Sequence, residues 1–268
     1  MRLQLEMSMD IVSKIANLLK LYSKDDLLVS ISPTVLKFFI DQSHPICVWI
    51  ECKTNECFSK FQIKSKNNNT IAFRVSAHQL AQSLDFEDSS TIKIQLSQAG
   101  DFIFLQIVHN GLDALKNFEH RVPITLLAKQ STENLKEPQW PDDSMVSEFP
   151  SVKAVHDWCS VIQNAGIKVI TVSILKEPDN TKVSFNAETE SKLLKIETTY
   201  TIEESENDDE LKDVYEIAVN VKQFLKIMKV MQLQPAKSTL YIHSNVLLRL
   251  VVDIYCAQIT FSISGITE

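Results

Sequence analysis

The sequence predicts two α+β domains of similar pattern, each built from antiparallel strands and two helices. Amphipathic helical patterns begin near Asp10 and Ser76 in the first half, about 66 residues apart, and near Pro150 and Asn220 in the second half, about 70 residues apart. Short alternating apolar runs, typical of strands, fill the intervals in the same order in both halves. The order of patterns, more than any repeated residue, therefore indicates a duplicated architecture.

The two halves are separated by a stretch from His120 to Pro150 that contains prolines at 123, 138, 141 and 150. No run in it sustains a helical or strand period, and proline removes a backbone hydrogen-bond donor. We therefore expect one domain at residues 1–119, a linker at 120–149 and a second domain at 150–268. A chain of 268 residues has the length for two ordinary domains.

The first half opens with an alternating strand at residues 2–7. A helix follows at 10–24, with Ile11, Ile15, Leu18 and Tyr22 on one stripe and Ser8 as its N-cap. Ser76 opens a second, shorter helix. The remaining strands of this half are expected at residues 27–31, 35–40, 46–52, 58–63, 71–75, 91–96 and 102–108.

The second half repeats this order. Its helices are expected at residues 152–164 and 221–231. Its strands are expected at residues 168–174, 182–186, 193–201, 214–219, 239–243, 247–252 and 258–263.

Composition is that of a globular protein, with 44% hydrophobic and 23% charged residues. The net charge is −7, but residues 203–213 contain seven acids and one lysine, so the rest of the chain is close to neutral. We interpret this acidic run as a solvated loop. The N-terminus lacks the apolar run of a secretory signal. The five cysteines follow no zinc pattern, and we expect buried free thiols in a reducing compartment.

Catalytic motifs are not found. The four glycines are too far apart for a dinucleotide-binding turn or a phosphate-binding loop, and the six histidines form no metal-binding spacing. The sequence also contains no G-x-S-x-G motif. We therefore expect no enzymatic activity, no cofactor and no metal site.

Lysines are concentrated on the predicted helices, which together carry seven lysines and two aspartates in a chain of net charge −7. This segregation favours a surface that contacts phosphates without reading bases. The alternative is that these lysines only solvate exposed helix faces, where lysine is common. The predicted DNA-facing residues are Lys14, Lys20, Lys24, Lys153, Lys222, Lys226 and Lys229.

Four stretches carry a family resemblance. They are LLVSISPTVLKFFI at 27–40, ICVWIECKTNECFSKFQI at 46–63, the linker segments HRVPI, LKEPQWPD and FPSVKAVHDW, and SKLLKIETTY at 191–200. Taken together, the chain resembles the DNA sliding-clamp superfamily, and more closely the Hus-type subunit of the heterotrimeric checkpoint clamp, the nine-one-one complex.

The resemblance implies a clamp fold whose helices line a central channel around double-stranded DNA, without sequence preference. Two paralogous clamp subunits would complete the ring, and an ATP-driven clamp loader would load it in the nucleus. The partners implied are repair and DNA-damage checkpoint proteins, with no membrane and no cofactor. The implied subunit-interface strands contain Phe102, Phe104, Gln106 and Val108, and Lys182, Ser184 and Asn186. An implied linker groove for peptides contains Val122, Pro123, Ile124, Pro138, Trp140 and Pro141.

Two other classes of function stay open from the residues alone. One is a homotrimeric replication clamp of the same fold, and the other is a protein-interaction module that does not contact DNA. An enzyme whose catalytic residues come together only in the folded chain is the last alternative, because such a site is recognised by geometry.

Overall fold

A computed structural model of the chain describes all residues except 23–25, 41–45, 86–88, 112–117, 129–136, 138–139, 142, 178, 190, 192–193, 204–213, 232–234, 255 and 267–268. Five helices lie in the described part: α1 (Met9–Lys20), α2 (Thr54–Cys57), α3 (Ala77–Leu84), α4 (Val152–Asn164) and α5 (Val221–Met231). None of these helices is long and apolar enough to cross a membrane. Most of the predicted acidic loop falls outside the described residues.

Seventeen strands are present in the same described part. They are β1 (Arg2–Ser8), β2 (Asp26–Ile31), β3 (Val35–Ile40), β4 (Ile46–Lys53), β5 (Lys60–Lys64), β6 (Ile71–Ser76), β7 (Ser89–Ala99), β8 (Phe102–Gly111), β9 (Phe118–Leu126), β10 (Met145–Glu148), β11 (Val169–Glu177), β12 (Asn180–Glu188), β13 (Lys195–Glu203), β14 (Val214–Asn220), β15 (Lys237–His243), β16 (Leu247–Ile254) and β17 (Ala257–Ser264).

The chain divides into two compact units. Unit 1 comprises residues 1–41, 48–137 and 256–258, and unit 2 comprises residues 42–47, 138–255 and 259–268. Unit 1 pairs α1 with α3, and unit 2 pairs α4 with α5. The strands within each unit pair antiparallel. The predicted α+β class, with two helices against antiparallel sheet in each half, is confirmed.

In unit 1 the strands lie in the order β5-β1-β7-β8-β9-β6-β2-β3-β4. Successive strand residues point to opposite faces, so β1 buries Leu3, Leu5 and Met7 and exposes the residues between them. Helix α1 buries a wider stripe than the sequence predicts. Its buried residues are Val12, Ile15, Ala16, Leu18 and Leu19, and Ile11 is only half-buried.

The helix boundaries differ in detail from the predictions. Helix α1 ends at Lys20 and not at residue 24, and Lys24 itself lies outside the described residues. Ser8 occupies the predicted N-cap position, but its side chain makes no capping hydrogen bond. Ser76 does cap α3, because its Oγ accepts a hydrogen bond from the backbone N–H of Gln79 at 3.4 Å.

Unit 2 has two four-stranded sheets, in the orders β10-β15-β16-β17 and β13-β12-β11-β14. Its core is rich in aromatic rings. Phe149, Phe185 and Phe224 form a triangle with centroid distances of 6.0–6.4 Å, a range typical of favourable aromatic contacts. Helices α4 and α5 close onto this core through Val155, Cys159 and Ile162, and through Phe224, Ile227 and Met228.

The expectation that residues 120–149 contain no strand is wrong at both ends, because β9 and β10 lie there. Proline is tolerated in β9 for a geometric reason. Leu127 N donates to Ala72 O of β6, so the odd-numbered residues of β9 direct their backbone groups away from β8. Pro123 lies opposite Phe104, but the strand donates no hydrogen bond to β8 at this position, so proline removes none.

The expectation of five free thiols is wrong for two cysteines. Cys57 and Cys256 form a disulfide with a Cα–Cα distance of 5.9 Å, although 199 positions separate them in sequence. Sequence spacing could not indicate this pairing, because Cys57 lies in the main part of unit 1 and Cys256 joins that unit only through the short stretch 256–258. Cys47, Cys52 and Cys159 are free.

Candidate nucleic-acid interface and subunit edges

The two exposed lysines of α5 lie at its opposite ends. Lys222 and Lys229 are exposed, whereas Lys226 is half-buried. Asn220 caps the helix, because its Oδ1 accepts a hydrogen bond from Lys222 N at 2.9 Å. Lys229 in the last turn is favourable for the helix dipole, but Lys222 in the first turn is not. Helix stability alone therefore explains Lys229 and does not explain Lys222.

Helix α4 repeats this feature. Lys153 is exposed in its first turn, which contains no acidic residue. Lys153, Lys222 and Lys229 make no ion pair within the described part of the chain. Lys153 also lines a groove of about 790 Å³ together with His156 and Lys237, and with the acids Glu148 and Asp157. The lining of the groove is thus of mixed charge.

The lysines of α1 in unit 1 differ from the exposed lysines of α4 and α5 in burial or in ion pairing. Lys20 lies 2.7 Å from the carboxylate of Asp85, and its Nζ also donates to Asn17 Oδ1 at 3.4 Å. Lys14 is half-buried. The local charge of Lys20 is therefore cancelled by a residue 65 positions away, which the helical pattern could not reveal. Lys24 lies outside the described residues.

The expectation that residues Phe102, Phe104, Gln106 and Val108 lie on an edge strand is wrong. They belong to β8, which pairs with β7 on one side and with β9 on the other. The side chain of Gln106 is also engaged within the chain, because it accepts from Gln95 at 2.7 Å and hydrogen-bonds Glu119. That bond, followed by the one from Arg121, holds the pKa of the Glu119 carboxyl below its usual value.

The corresponding expectation for Lys182, Ser184 and Asn186 is wrong for the same reason. These residues lie on β12, which is paired with β11 and with β13 along its length. The Lys182 ammonium is 2.6 Å from the carboxylate of Glu177, and the Ser184 hydroxyl is 2.9 Å from that of Thr199. In each unit the predicted edge strand is covered by the strand that follows it, β9 after β8 and β13 after β12.

The strands next to the two predicted ones, β9 and β13, each have an open edge, by which we mean a stretch of one side without a strand partner among the described residues. In unit 1, β6 covers β9 only at Thr125 and Leu126, so the backbone groups of Glu119, Arg121 and Pro123 face outward. In unit 2, β13 is the terminal strand of its sheet. The edge of β14 is covered instead, because its carbonyls at 216 and 218 accept from Asn245 N and Ile266 N.

The predicted linker groove divides between the two units. Val122, Pro123 and Ile124 belong to β9 in unit 1, with Val122 buried. Trp140 and Pro141 belong to unit 2, and Pro138 lies outside the described residues. The Trp140 ring contacts Tyr241 and Arg249.

No chemistry of catalysis is evident in the described part of the chain. Burial raises the pKa of the Cys52 and Cys159 thiols to about 12, so both are neutral and unreactive at pH 7. No group of three metal-ligating side chains comes together among the described residues. His109 is buried, and its Nε2 lies 2.7 Å from the carbonyl of Ser83 at the end of α3. We interpret His109 as a structural residue that fastens α3 to β8.

Comparison with known proteins agrees with this architecture. The family model described as Hus1-like protein matches residues 1–267. A checkpoint protein hus1 homolog of Dictyostelium discoideum is 24% identical over 247 residues, which cover 88% of this chain and 87% of that protein. The crystal structure of proliferating cellular nuclear antigen from Entamoeba histolytica matches with a TM-score of 0.70 and 13% identity over 99% of both chains. The chain has the sliding-clamp fold and belongs to the Hus1-like protein family.

Proposed function

We propose that this protein is a non-catalytic subunit of a heterotrimeric checkpoint clamp. With two paralogous clamp subunits it would form a ring that encircles double-stranded DNA in the nucleus. An ATP-driven clamp loader would load the ring, which would then act as a platform for DNA-damage signalling and repair proteins. Membership of the Hus1-like family and the sliding-clamp fold support the proposal. The proposed contact with DNA rests on Lys153 and Lys222, the exposed first-turn lysines of α4 and α5.

These lysines suit a sliding contact for a physical reason. A lysine ammonium is a compact charge that attracts phosphate without the bidentate geometry of arginine, so the contact is weak and independent of sequence. Lys153 and Lys222 stand where the backbone N–H groups of the first turn also attract anions. Their unfavourable position in the helix dipole is then balanced by the phosphates they face.

Ring assembly would use the open edges of β9 and β13. Each has unpaired backbone donors or acceptors that an antiparallel strand of a neighbouring subunit can satisfy. Phe102–Val108 and Lys182–Asn186 are excluded from this role, since their backbone groups are used within the chain. The proposed interface therefore lies one strand further along the sequence in each unit.

The DNA-contact proposal is tested with Lys153→Glu/Lys222→Glu in the complex purified with its partners. We expect retention on closed circular DNA to fall and the salt dependence of binding to lose about two units of slope, roughly 0.9 per phosphate contact. The free energy of unfolding should rise, because an acid in the first turn stabilises each helix by about 0.3–1 kcal/mol.

The matched control is Lys64→Glu/Lys66→Glu, which changes the charge equally on exposed residues of β5 and the loop after it. It should leave DNA retention unchanged. Equal loss in both variants would mean that net charge alone is responsible. Unchanged retention in the Lys153/Lys222 variant, with the ring assembled, would contradict an inward-facing position for these lysines.

A further inference from the structure

Two cysteines of unit 1 come together although most of the chain separates them. Cys57 is the last residue of α2, and Cys256 lies in the turn between β16 and β17. Their sulfurs are joined, and their Cα atoms are 5.9 Å apart. A disulfide forms at this Cα distance without any movement of the backbone. The pair is therefore placed for a thiol–disulfide reaction.

Backbone and hydroxyl hydrogen bonds hold the two segments in place independently of the sulfurs. Lys53 N, next to α2, donates to the Cys256 carbonyl at 3.2 Å. Thr54, the first residue of α2, donates from its backbone N–H to Thr34 O at 3.0 Å and from its hydroxyl to Pro33 O at 2.7 Å. Reduction of the disulfide breaks none of these bonds. The reduced cysteines therefore stay within reach of each other.

The reduced form also has an acceptor for the buried thiol. Cys57 Sγ lies 3.7 Å from the carbonyl oxygen of Cys256, so a thiol at Cys57 can donate a weak S–H hydrogen bond to it. The same backbone thus accommodates both the dithiol and the disulfide. Reduction and oxidation can alternate without refolding of the chain.

The two sulfurs differ in their access to solvent. Cys57 is only 2% exposed, whereas Cys256 is half-buried. Reversible oxidation is typical of an accessible cysteine that lies next to a second, resolving cysteine. A small oxidant therefore reaches Cys256 first, and Cys57 supplies the second sulfur.

The remaining cysteines do not share this arrangement. Burial raises the pKa of the Cys52 and Cys159 thiols to about 12, so the reactive thiolate is scarce in both at pH 7. Cys47 is half-buried and is not joined to another cysteine. It is thus the natural control for oxidation of an isolated thiol.

We propose that Cys57 and Cys256 form a reversible redox modification site, which a hydroperoxide closes and a dithiol reductant opens. The Cys256 thiolate takes the terminal hydroxyl of the hydroperoxide and becomes a sulfenic acid. The O–O bond breaks, and the leaving oxygen takes up the proton that the thiol lost. The Cys57 sulfur then attacks the sulfenic sulfur, the disulfide forms, and water leaves with the Cys57 proton. The dithiol reverses this by returning two electrons and two protons, and itself becomes a disulfide.

Closing the site changes the stability of the whole chain. The cross-link joins residues 199 positions apart, and a cross-link over so long a loop lowers the entropy of the unfolded chain. The oxidised protein therefore resists unfolding more strongly than the reduced protein. The inference does not depend on DNA contact or on ring assembly, because both cysteines belong to unit 1.

The first test uses the wild-type full chain, reduced with a phosphine under native conditions and then freed of reductant. Hydrogen peroxide is added, the protein is unfolded and alkylated, and its intact mass counts the free thiols. We expect five alkylated cysteines before peroxide, three after it, and five again after dithiothreitol. The thermal midpoint should rise by roughly 5–15 °C on oxidation and return on reduction.

Variants separate the two chemical steps. In Cys57→Ser the sulfenic acid at Cys256 should persist and react with dimedone, which peptide mapping locates at that residue. Cys256→Ser should give no dimedone adduct at Cys57, because Cys57 is buried. The matched control, Cys47→Ser, should still form the disulfide on addition of peroxide.

Any of three results would overturn the proposal. A disulfide that survives native reduction would be a permanent structural bond. Five free thiols after peroxide would show that the pair does not oxidise. Absence of a dimedone adduct at Cys256 in the Cys57→Ser variant would contradict its role as the residue that the hydroperoxide attacks.

Discussion

Replacing Arg121 with proline removes one backbone donor from the open edge of β9. Leu127 N donates to β6, and the alternation along the strand directs the backbone groups of residues 119, 121 and 123 to the same side. Position 123 is already proline, so the strand tolerates this residue on that side. Arg121→Pro should therefore leave the β8–β9 ladder intact and weaken only the pairing with a neighbouring subunit.

The expected size follows from the lost hydrogen bond. An interchain backbone bond is worth about 0.5–1.5 kcal/mol, and leaving the partner's carbonyl buried and unpaired adds to the loss. A total of about 1–3 kcal/mol corresponds to roughly 5- to 150-fold weaker association. The ion pair from Arg121 Nε to Glu119 at 2.9 Å is exposed, so its loss contributes little. Arg121→Ala measures that contribution separately.

The assay combines chemical unfolding of the isolated chain with the affinity of the chain for its partner subunits. His120→Pro is the matched control, since His120 directs its backbone groups to β8. We expect it to destabilise unit 1 by a few kcal/mol, as proline does inside a sheet. Normal assembly of Arg121→Pro would refute the use of this edge. Unfolding of Arg121→Pro to the same extent as His120→Pro would refute the assignment of sides.

Three further predictions concern stability. Burial lowers the pKa of His109 from its usual 6.5, the hydrogen bond to Ser83 opposes this, and the nearby His120 lowers it further. The folded chain therefore favours the neutral imidazole. The free energy of unfolding should hold above pH 6.5 and fall below it as the unfolded chain takes up a proton, and His109→Gln should flatten this dependence. Peptide mapping without reductant should find Cys57 joined to Cys256, and Cys57→Ser should cost up to about 5 kcal/mol by the loop-entropy estimate for a separation of 199. Five titratable thiols in the protein unfolded without reductant would contradict it. Gly265→Ala would put Cβ 2.6 Å from the carbonyl oxygen of Asn245, so it should destabilise the chain by about 1–3 kcal/mol in thermal unfolding.

The sequence was sufficient for the element order, because hydrophobic periodicity is a local property. Apart from β9 and β10, the strands and the four long helices follow the predicted series, and the inward faces of α3, α4 and α5 agree with the apolar stripes. The resemblance to clamp proteins was also carried by patterns spread along the chain. The family and fold were therefore accessible before any coordinates.

Strand pairing could not be predicted from local sequence patterns in the same way. Pro123 reads as a strand breaker unless one knows which side of β9 faces β8, and that depends on register with a strand elsewhere in the chain. The same lack of register placed the expected open edges on β8 and β12. An open edge is a property of the whole sheet, and no local pattern contains it.

Side-chain partners distant in sequence account for the other differences. Lys20 looks like an exposed helical lysine, but Asp85 neutralises it across the α1–α3 contact. Trp140 reads as a linker residue, and its contact with Arg249 depends on the adjacency of β10, β15 and β16. Charge and aromatic composition could be counted from the sequence, but their pairing depends on the fold.

The central claim, that this chain is one of three different subunits in a ring, is tested most directly by native mass spectrometry of the tagged protein purified from its own cells. The account predicts one copy of this chain with one copy each of two other clamp-fold chains, and weaker pairing with one of these two chains in Arg121→Pro. Three copies of this chain alone would indicate a homotrimeric clamp. A monomer, or partners without the clamp fold, would contradict the proposed assembly.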